Sequence, residues 1–207
     1  SELARLNEMK NEFLGIAAHD LRTPIGNISS LSNMLLDDLG NLLPEEHVEL
    51  LATIRSLSEF MLTMLENLLD ITAIESGKIT IQKDSVDLVA LVNRAIKLNK
   101  ILADRKNITM TLNKCASVIV TGDAHKLQQV ADNLLSNAIK YSERGTSIEV
   151  LIAISGHEVM VSVTDHGPGI SQEDMTKLFR PFFRARSKTT GGEKSTGLGL
   201  AIVQRIV

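Results

Sequence analysis

The chain has 207 residues, of which 43% are hydrophobic and 3% aromatic, and its formal net charge is −3. This composition can bury one substantial core plus a helical appendage, and the scattered basic residues argue against nucleic acid as a partner. A single cysteine, Cys115, excludes an internal disulfide framework, and no His or Cys pair has zinc-finger spacing. No apolar run approaches the roughly 18 residues that span a bilayer, so we expect a cytoplasmic chain without direct membrane contact.

A long first helix is predicted from near the N-terminus to about Leu39, because apolar residues recur at alternating spacings of three and four. Pro24 and Gly26 are expected to interrupt this helix, and Gly40 with Asn41 to end it. The apolar positions that define its packing stripe are Leu3, Leu6, Met9, Phe13 and Ile16.

Residues 19–24 of this helix, His-Asp-Leu-Arg-Thr-Pro, are its most informative segment. His19 flanks the apolar stripe, so its ring can reach solvent. Asp20 can accept a hydrogen bond from one ring nitrogen, which leaves the other nitrogen nucleophilic. Thr23 lies four residues later on the same face and could orient a water or a phosphoryl oxygen. The pattern predicts a phosphoacceptor histidine; the alternative is an ordinary surface histidine of a coiled coil.

A second helix is predicted after Pro44, with the same alternation of apolar residues. Two such helices form a hairpin, and pairing with a second copy into a four-helix bundle would cover both apolar stripes. The alternative is a stand-alone antiparallel coiled coil. The apolar positions of the second helix are Leu51, Ile54, Leu57, Met61, Met64, Leu68 and Ile71.

The second half of the chain is predicted to be an α/β layer structure with a largely antiparallel sheet. Strands are expected at 79–81, 108–112, 118–120, 148–154 and 158–164, the last two joined by a turn at 155–157. One helix should be capped by Asp87, and another should begin after Gly122 and Asp123. We place the domain boundary after residue 76, which gives domains 1–76 and 77–207.

Polar residues line one face of the predicted helix 127–141, separate from its apolar face. The amide oxygens of Asn133 and Asn137 can ligate Mg²⁺, a cation that takes further ligands from phosphates. Lys140 and Tyr141 are placed to meet phosphate oxygens. The alternative is a solvated helix face.

Two segments after the last strand combine glycine, acidic, aromatic and basic residues. Asp165 follows the strand and can accept a hydrogen bond from an exocyclic amine such as that of adenine, while Gly167 and Gly169 allow close backbone approach. Phe179 and Arg184 belong to an aromatic segment at 178–184 whose arginines could reach anionic phosphates. A plain turn and a local hydrophobic plug are the alternatives.

A glycine-rich turn, Thr196, Gly197, Leu198 and Gly199, runs directly into a last predicted helix. Backbone N–H groups at a helix N-terminus make an anion site suited to a polyphosphate. The preceding basic, glycine-containing stretch has the composition of a lid.

Taken in order, five segments resemble the sequence boxes of the sensor histidine kinases of two-component signalling: HDLRTP, NLLSNAIKYS, DHGPGI, LFRPFFRA and TGLGLAIV. The fold implied is α+β: a dimerising helical hairpin followed by a Bergerat-type ATP-binding α/β sandwich. Because the family normally continues past the last box into further strands, the second domain is expected to be truncated at its C-terminus. Attachment of a longer parent protein to a membrane is left open.

The resemblance also implies site residues, cofactors and partners. His19 would accept the γ-phosphoryl group of ATP, with Asp20 as its acid/base, and pass it to a response regulator receiver domain. Thr23 would position water for dephosphorylating that regulator, and Asn137 would ligate Mg²⁺. The implied nucleotide-binding residues are Asn133, Asn137, Lys140, Tyr141, Asp165, Gly167, Gly169, Phe179, Arg184, Thr196, Gly197, Leu198 and Gly199.

Two other functions compete with this interpretation. A non-catalytic signalling scaffold would usually have lost the acceptor histidine, the Mg²⁺ asparagine or the glycines, and all are present. An ATPase of the same superfamily acting on other substrates would carry a glutamate base where Asn133 stands, and an amide cannot act as a base. His166 departs from the family, which usually has asparagine there.

Overall fold

The computed structural model describes residues 2–75, 82–114, 117–193 and 195–207. The chain divides into two compact units, Ser1–Ile79 and Thr80–Val207. The predicted strand at 79–81 lies outside the described residues, as do the residues on either side of the proposed boundary after residue 76.

The first unit is a hairpin of two long helices, α1 (Glu2–Leu39) and α2 (Glu45–Glu75). The predicted end of α1 is confirmed: Gly40 N–H donates to the Leu36 carbonyl oxygen at 3.1 Å, and a Cβ at Gly40 would collide with that oxygen. Two glutamates in the first turn of α2, Glu45 and Glu46, favour its positive N-terminal dipole end.

The predicted interruption of α1 at Pro24 and Gly26 is wrong, because the helix continues through both residues. Pro24 removes one N–H from the helical ladder, and a helix can tolerate this where water reaches the carbonyl that loses its donor. Pro24 and the neighbouring Asp20 are both exposed, which fits that explanation.

The second unit alternates helices and strands, as predicted, and the predicted α+β class is confirmed. The caps are also confirmed: Asp87 accepts a hydrogen bond from Ala90 N–H at 3.0 Å, and Asp123 caps the helix that follows it. The elements are β1 (Asp84–Asp87), α3 (Leu88–Asp104), β2 (Thr109–Lys114), β3 (Ile119–Gly122), α4 (Ala124–Tyr141), β4 (Ser147–Ser155), β5 (Glu158–Thr164), α5 (Gln172–Met175) and α6 (Gly199–Ile206).

The strands form two small sheets. β1 pairs antiparallel with β3, and β4 lies between β2, with which it is parallel, and β5, with which it is antiparallel. Two of the three strand pairings among the described residues are therefore antiparallel, which agrees with the expected, largely antiparallel sheet. Gly156 and His157 form the β4–β5 turn, where the positive φ of Gly156, 62°, suits a glycine.

The core of this unit lies between one face of the three-stranded sheet and helices α3 and α4. Alternate residues of β4, Ile148, Val150 and Ile152, are at most 1% exposed, whereas Leu151 between them is 40% exposed. On the helix side, Val92 of α3 is 2% exposed and Leu135 of α4 is 1% exposed. Burial of such side chains contributes about 1.5–3 kcal/mol each and fixes the orientation of α4.

Candidate functional site

The orientation of α4 decides which of its side chains can meet a ligand. Its buried face consists of Ala131, Leu135, Ala138 and Ile139. Asp123 fixes its start, because the carboxylate accepts hydrogen bonds from the backbone N–H groups of Lys126, His125 and Gln82 at 3.0–3.2 Å. The N–H of Lys126 contributes most to holding the pKa of Asp123 below its ordinary value.

A cleft of about 570 Å³ lies beside α4, within the range typical of small-molecule sites. Its walls come from α4, the end of β5 with the turn that follows, the aromatic segment, and the start of α6. The lining residues are Leu134, Asn137, Ala138, Tyr141, Val163, Thr164, Asp165, Gly167, Pro168, Gly169, Ile170, Met175, Leu178, Phe183, Arg184, Ala185, Ser187, Ser195, Gly197, Gly199 and Leu200.

Residues from all four predicted segments of the second unit therefore meet at one cleft. The predicted site residues that line it are Asn137, Tyr141, Asp165, Gly167, Gly169, Arg184, Gly197 and Gly199. The cleft combines an apolar interior with a carboxylate, an amide and a guanidinium, a set of groups that suits a nucleotide with an aromatic base and anionic phosphates.

The other predicted residues of this unit lie around the cleft rather than in its lining. Leu198 is fully buried, Phe179 is 45% exposed, and the Thr196 hydroxyl accepts a hydrogen bond from Leu198 N–H at 3.3 Å. A Cβ at Gly199 would lie 2.7 Å from Oδ1 of Asn133, so the amide of Asn133 packs against the start of α6. The Lys140 side chain is partly buried; burial lowers its pKa, and the charge of Glu193 partly offsets this effect.

The turn after β5 is held by its own acidic residue. Oδ1 of Asp165 accepts a hydrogen bond from Gly167 N–H at 2.8 Å, and a Cβ at Gly167 would lie 2.9 Å from the Tyr141 carbonyl oxygen. Only glycine allows this approach of the turn to the end of α4. His166, where the family usually has asparagine, places Nδ1 2.8 Å from the Ser147 carbonyl oxygen.

The start of α6 forms another wall of the cleft. Gly197 has a φ of 72°, and a Cβ there would lie 2.6 Å from the Phe183 carbonyl oxygen, so glycine is needed on both counts. Leu198 is the N-cap and offers no side-chain hydrogen bond to the first turn of α6. The N–H groups at the start of a helix have no partner within the helix, and such groups can bind an anion.

The phosphoacceptor candidate lies on α1 in the first unit. His19 Nδ1 is 3.3 Å from Asp20 Oδ1, and the two side chains are 78% and 73% exposed. The contact directs Nδ1 to the carboxylate and leaves Nε2 as the nitrogen that a reaction partner can reach. Thr23 is exposed one turn later, and Arg22 lies 3.9 Å from Glu66 of α2.

A buried cation, Lys106, was not predicted from the sequence. Its side chain is 6% exposed and lies 2.7 Å from the Glu193 carboxylate. The lysine sits in a polar turn of the sequence, where charged residues are usually solvated, and its partner is distant along the chain. No local pattern marks such a contact.

The donor set of the cleft fits Mg²⁺ carried by a nucleotide better than a resident metal ion. Among the described residues there is no cluster of three or more His, Cys, Asp or Glu side chains that could hold a metal. Asn137 lines the cleft, and its side-chain amide has one oxygen that could serve as a ligand. Mg²⁺ commonly binds through one or two protein oxygens together with phosphates and water.

Comparisons with known proteins agree with this arrangement. Residues 9–77 match the family model described as His Kinase A (phospho-acceptor) domain. Residues 122–207 match the model described as Histidine kinase-, DNA gyrase B-, and HSP90-like ATPase. In the described part of the chain, no helix is long and apolar enough to cross a membrane.

Curated relatives extend the similarity over nearly the whole chain. The sensor-like histidine kinase SenX3 of Mycolicibacterium smegmatis is 33% identical over 100% of this chain and 53% of its own length. The autoinducer 2 sensor kinase/phosphatase LuxQ of Vibrio cholerae is 34% identical over 96% of this chain and 24% of its own. The chain thus spans about half of one relative and a quarter of the other.

The fold is also shared with a solved structure. Full-length ShkA in complex with AMPPNP superposes with a TM-score of 0.74 at 26% identity, over 94% of this chain and 40% of ShkA. The helical hairpin, the cleft-bearing α/β unit and these matches define one class of protein. The chain belongs to the sensor histidine kinases of two-component signalling and carries their phosphoacceptor and ATP-binding domains.

Proposed function

We propose that this chain is a histidine autokinase that transfers the γ-phosphoryl group of ATP to His19. The observation that carries the proposal is the convergence of the predicted nucleotide residues on one cleft, in a chain that also presents an exposed histidine against a carboxylate. Residues 77–207 are the proposed nucleotide-binding domain, and residues 1–76 are the proposed domain that presents His19.

The chemistry at His19 follows from its contact with Asp20. The neutral ring attacks the γ-phosphorus through Nε2, so an N–P bond forms, the bond between the γ-phosphorus and the bridging oxygen breaks, and ADP leaves. Asp20 accepts the hydrogen bond of Nδ1–H and stabilises the positive charge that develops on the ring. Loss of the Nδ1 proton to Asp20 or solvent completes the step.

Nucleotide binding is assigned to the residues in and around the cleft. Asp165 accepts a hydrogen bond from the adenine amine, the glycines admit the backbone close to the nucleotide, and Arg184, Lys140 and Tyr141 contact phosphates. Asn137 would hold Mg²⁺, which neutralises phosphate charge. Asn133 stands where related ATPases carry a base, and its amide cannot activate water, which favours transfer to histidine over hydrolysis.

The proposal also includes two partners, a response regulator and a second copy of this chain, and a phosphatase activity. The phosphohistidine donates to an aspartate of a response regulator receiver domain, and Thr23 positions water when the chain acts as a phosphatase of that regulator. LuxQ is named both a kinase and a phosphatase, which supports the second activity. Large apolar side chains are exposed on both helices of the hairpin, which supports a homodimer; examples are Ile16, Leu31, Leu50 and Leu57.

Labelling with γ-labelled Mg·ATP tests the autokinase. We expect acid-labile, base-stable phosphate on the chain that is lost in His19→Gln and kept in His47→Gln, a matched change at an exposed histidine of α2. Label that persists in His19→Gln, or no label on a chain that binds ATP, would contradict the proposal. Phosphate release without protein labelling would favour an ATPase.

A further inference from the structure

The buried ammonium of Lys106 makes a set of contacts that the proposed reaction does not use. Nζ donates to the carbonyl oxygens of Ile139 and Lys140 at 2.9 and 3.1 Å and to the Thr190 hydroxyl at 2.7 Å. It also lies 2.7 Å from Oε1 of Glu193. A buried ammonium is costly unless it is paired and hydrogen-bonded, so four partners mark a built site.

These contacts join α4 to residues 184–193, which we call the cleft loop. The two carbonyls belong to the last turn of α4, where the helix dipole is negative. Thr190 reinforces the junction, because its N–H donates to the Lys140 carbonyl at 3.0 Å and its hydroxyl lies 2.6 Å from the Ser142 carbonyl. Gly191 N–H donates to Oε2 of Glu193 at 3.0 Å, which fixes the carboxylate from within the loop.

The same loop supplies part of the cleft wall, through Arg184, Ala185 and Ser187. Near that end, Arg186 N–H donates to the buried carboxylate of Asp174 at 3.2 Å. The Ser187 hydroxyl donates to the Gly169 carbonyl at 3.1 Å. The loop is thus fastened to the unit both where it lines the cleft and at residues 190–193.

The charge of Glu193 links the contacts at residues 190–193 to nucleotide binding. Burial alone would raise the pKa of Glu193, but the hydrogen bond from Lys106 and the backbone N–H groups hold it below its ordinary value. The carboxylate also acts electrostatically on Lys140, which we assign to the nucleotide phosphates. Without Lys106, the Glu193 carboxylate would keep its charge but lose the ammonium that lies 2.7 Å from its Oε1.

We infer that Lys106 is a positioning residue for nucleotide binding: it holds the far end of the cleft loop against α4 and keeps Glu193 paired, so that the loop keeps Arg184 at the cleft, where it can meet phosphates. The inference rests on the proposed function in taking ATP as the ligand and Arg184 as one of its phosphate contacts.

The test measures ATP affinity directly in the full chain, by displacement of a fluorescent ATP analogue. Lys106→Met should raise the Kd for ATP about tenfold, the loss expected for a charge-assisted contact. Adding Glu193→Gln should restore part of that affinity, because the unpaired carboxylate is gone although the loop has lost one of its fastenings. Lys97→Met, the same change at an exposed lysine of α3, should leave the Kd unchanged. A purely structural role for Lys106 predicts a lower free energy of unfolding in Lys106→Met with an unchanged Kd for the folded chain.

Wild-type affinity in Lys106→Met, or a double variant as weak as Lys106→Met, overturns the inference. If Lys106→Met does not fold, hydrogen exchange on Glu193→Gln decides the matter without any nucleotide. Amides of 189–193 should exchange faster while those of α3 and α4 keep their rates, and unchanged loop amides would overturn the inference. A chain that passes these tests but fails to label His19 would refute the autokinase and leave the role of Lys106 standing.

Discussion

The two units of this chain bury different kinds of side chain. In the hairpin, the positions buried between helices are mostly small: Ala18 is 1% exposed, Ser58 1% and Ser32 4%. In the α/β unit, large side chains are buried as well: Leu135 is 1% exposed and Ile148 is 0% exposed. The hairpin therefore packs along a narrow seam, whereas the α/β unit encloses a core of its own.

The narrow seam leaves the large apolar side chains of the hairpin without cover in a single copy. Ile16, Leu31, Met34 and Leu50 are each more than half exposed. The buried serines donate to carbonyls one turn back, Ser32 to Ile28 and Ser58 to Ile54, both at 2.8 Å, so they cost no unpaired hydroxyl. The α/β unit thus has an enclosed core, while the exposed apolar side chains of the hairpin fit the homodimer that we propose.

Leu135→Ala should produce the largest loss of stability. The residue is 1% exposed within the core, so the truncation should lower the free energy of unfolding of the α/β unit by about 2–5 kcal/mol. Urea unfolding should show the same loss at every protein concentration, since this core does not depend on a second copy. A loss under about 1 kcal/mol, or one that varies with protein concentration, would contradict an enclosed core within a single α/β unit.

Leu31→Asn and Leu57→Asn should act on association instead. Each removes an exposed apolar side chain from the hairpin, and in a dimer both copies lose it, so the dimer dissociation constant should rise at least about tenfold. Analytical ultracentrifugation measures this constant. Leu98→Asn, at an apolar position 61% exposed on α3, serves as the control and should leave it unchanged. Equal constants for all three variants would contradict the homodimer.

Asp123 should give a smaller, pH-dependent effect confined to the α/β unit. Its folded pKa lies below its ordinary value of 3.8. Its stabilisation is therefore present above that value and is lost as the pH falls through the folded pKa. Asp123→Ala should cost about 1 kcal/mol at neutral pH, as expected for a lost helix cap.

The conservative variant separates the cap from the charge. Asp123→Asn keeps a capping side chain, so its free energy of unfolding at neutral pH should be close to that of the wild type. On acidification it should lose less stability than the wild type. Glu149→Gln, at an exposed carboxylate of β4, is the control. If Asp123→Asn and the wild type lose the same unfolding free energy on acidification, the charge of Asp123 does not contribute to stability.

Local signals in the sequence predicted most of the fold. The caps Asp87 and Asp123, the stop at Gly40 and the β4–β5 turn each depend on neighbouring residues, and all four are confirmed. The short strand β1 was missed because Asp84–Asp87 has neither apolar alternation nor β-branched enrichment, and its pairing with β3 decides its conformation.

The sequence predicted which segments form the candidate site, but not which of their side chains line the cleft. Asn133 and Asn137 share a helix face by spacing, yet only Asn137 lines the cleft, because Gly199 of α6 packs against Asn133. The contact between Lys106 and Glu193 joins residues far apart in the chain. Helical spacing places residues on a face, and only the tertiary fold says what covers that face.

Each unit contains an ion pair, and the two pairs differ in burial. Arg22 and Glu66 join the hairpin helices at 3.9 Å with side chains 45% and 61% exposed, so solvent screens the pair. Arg22→Gln should change the free energy of unfolding by less than about 0.5 kcal/mol. Lys106→Met, which leaves a partly buried carboxylate without its closest cation, should cost several times more. Chemical unfolding of both variants measures the ratio. Similar losses of unfolding free energy in the two variants would mean that the buried pair contributes no more than the exposed pair. The α/β unit would then not shield its charges from solvent better than the hairpin does.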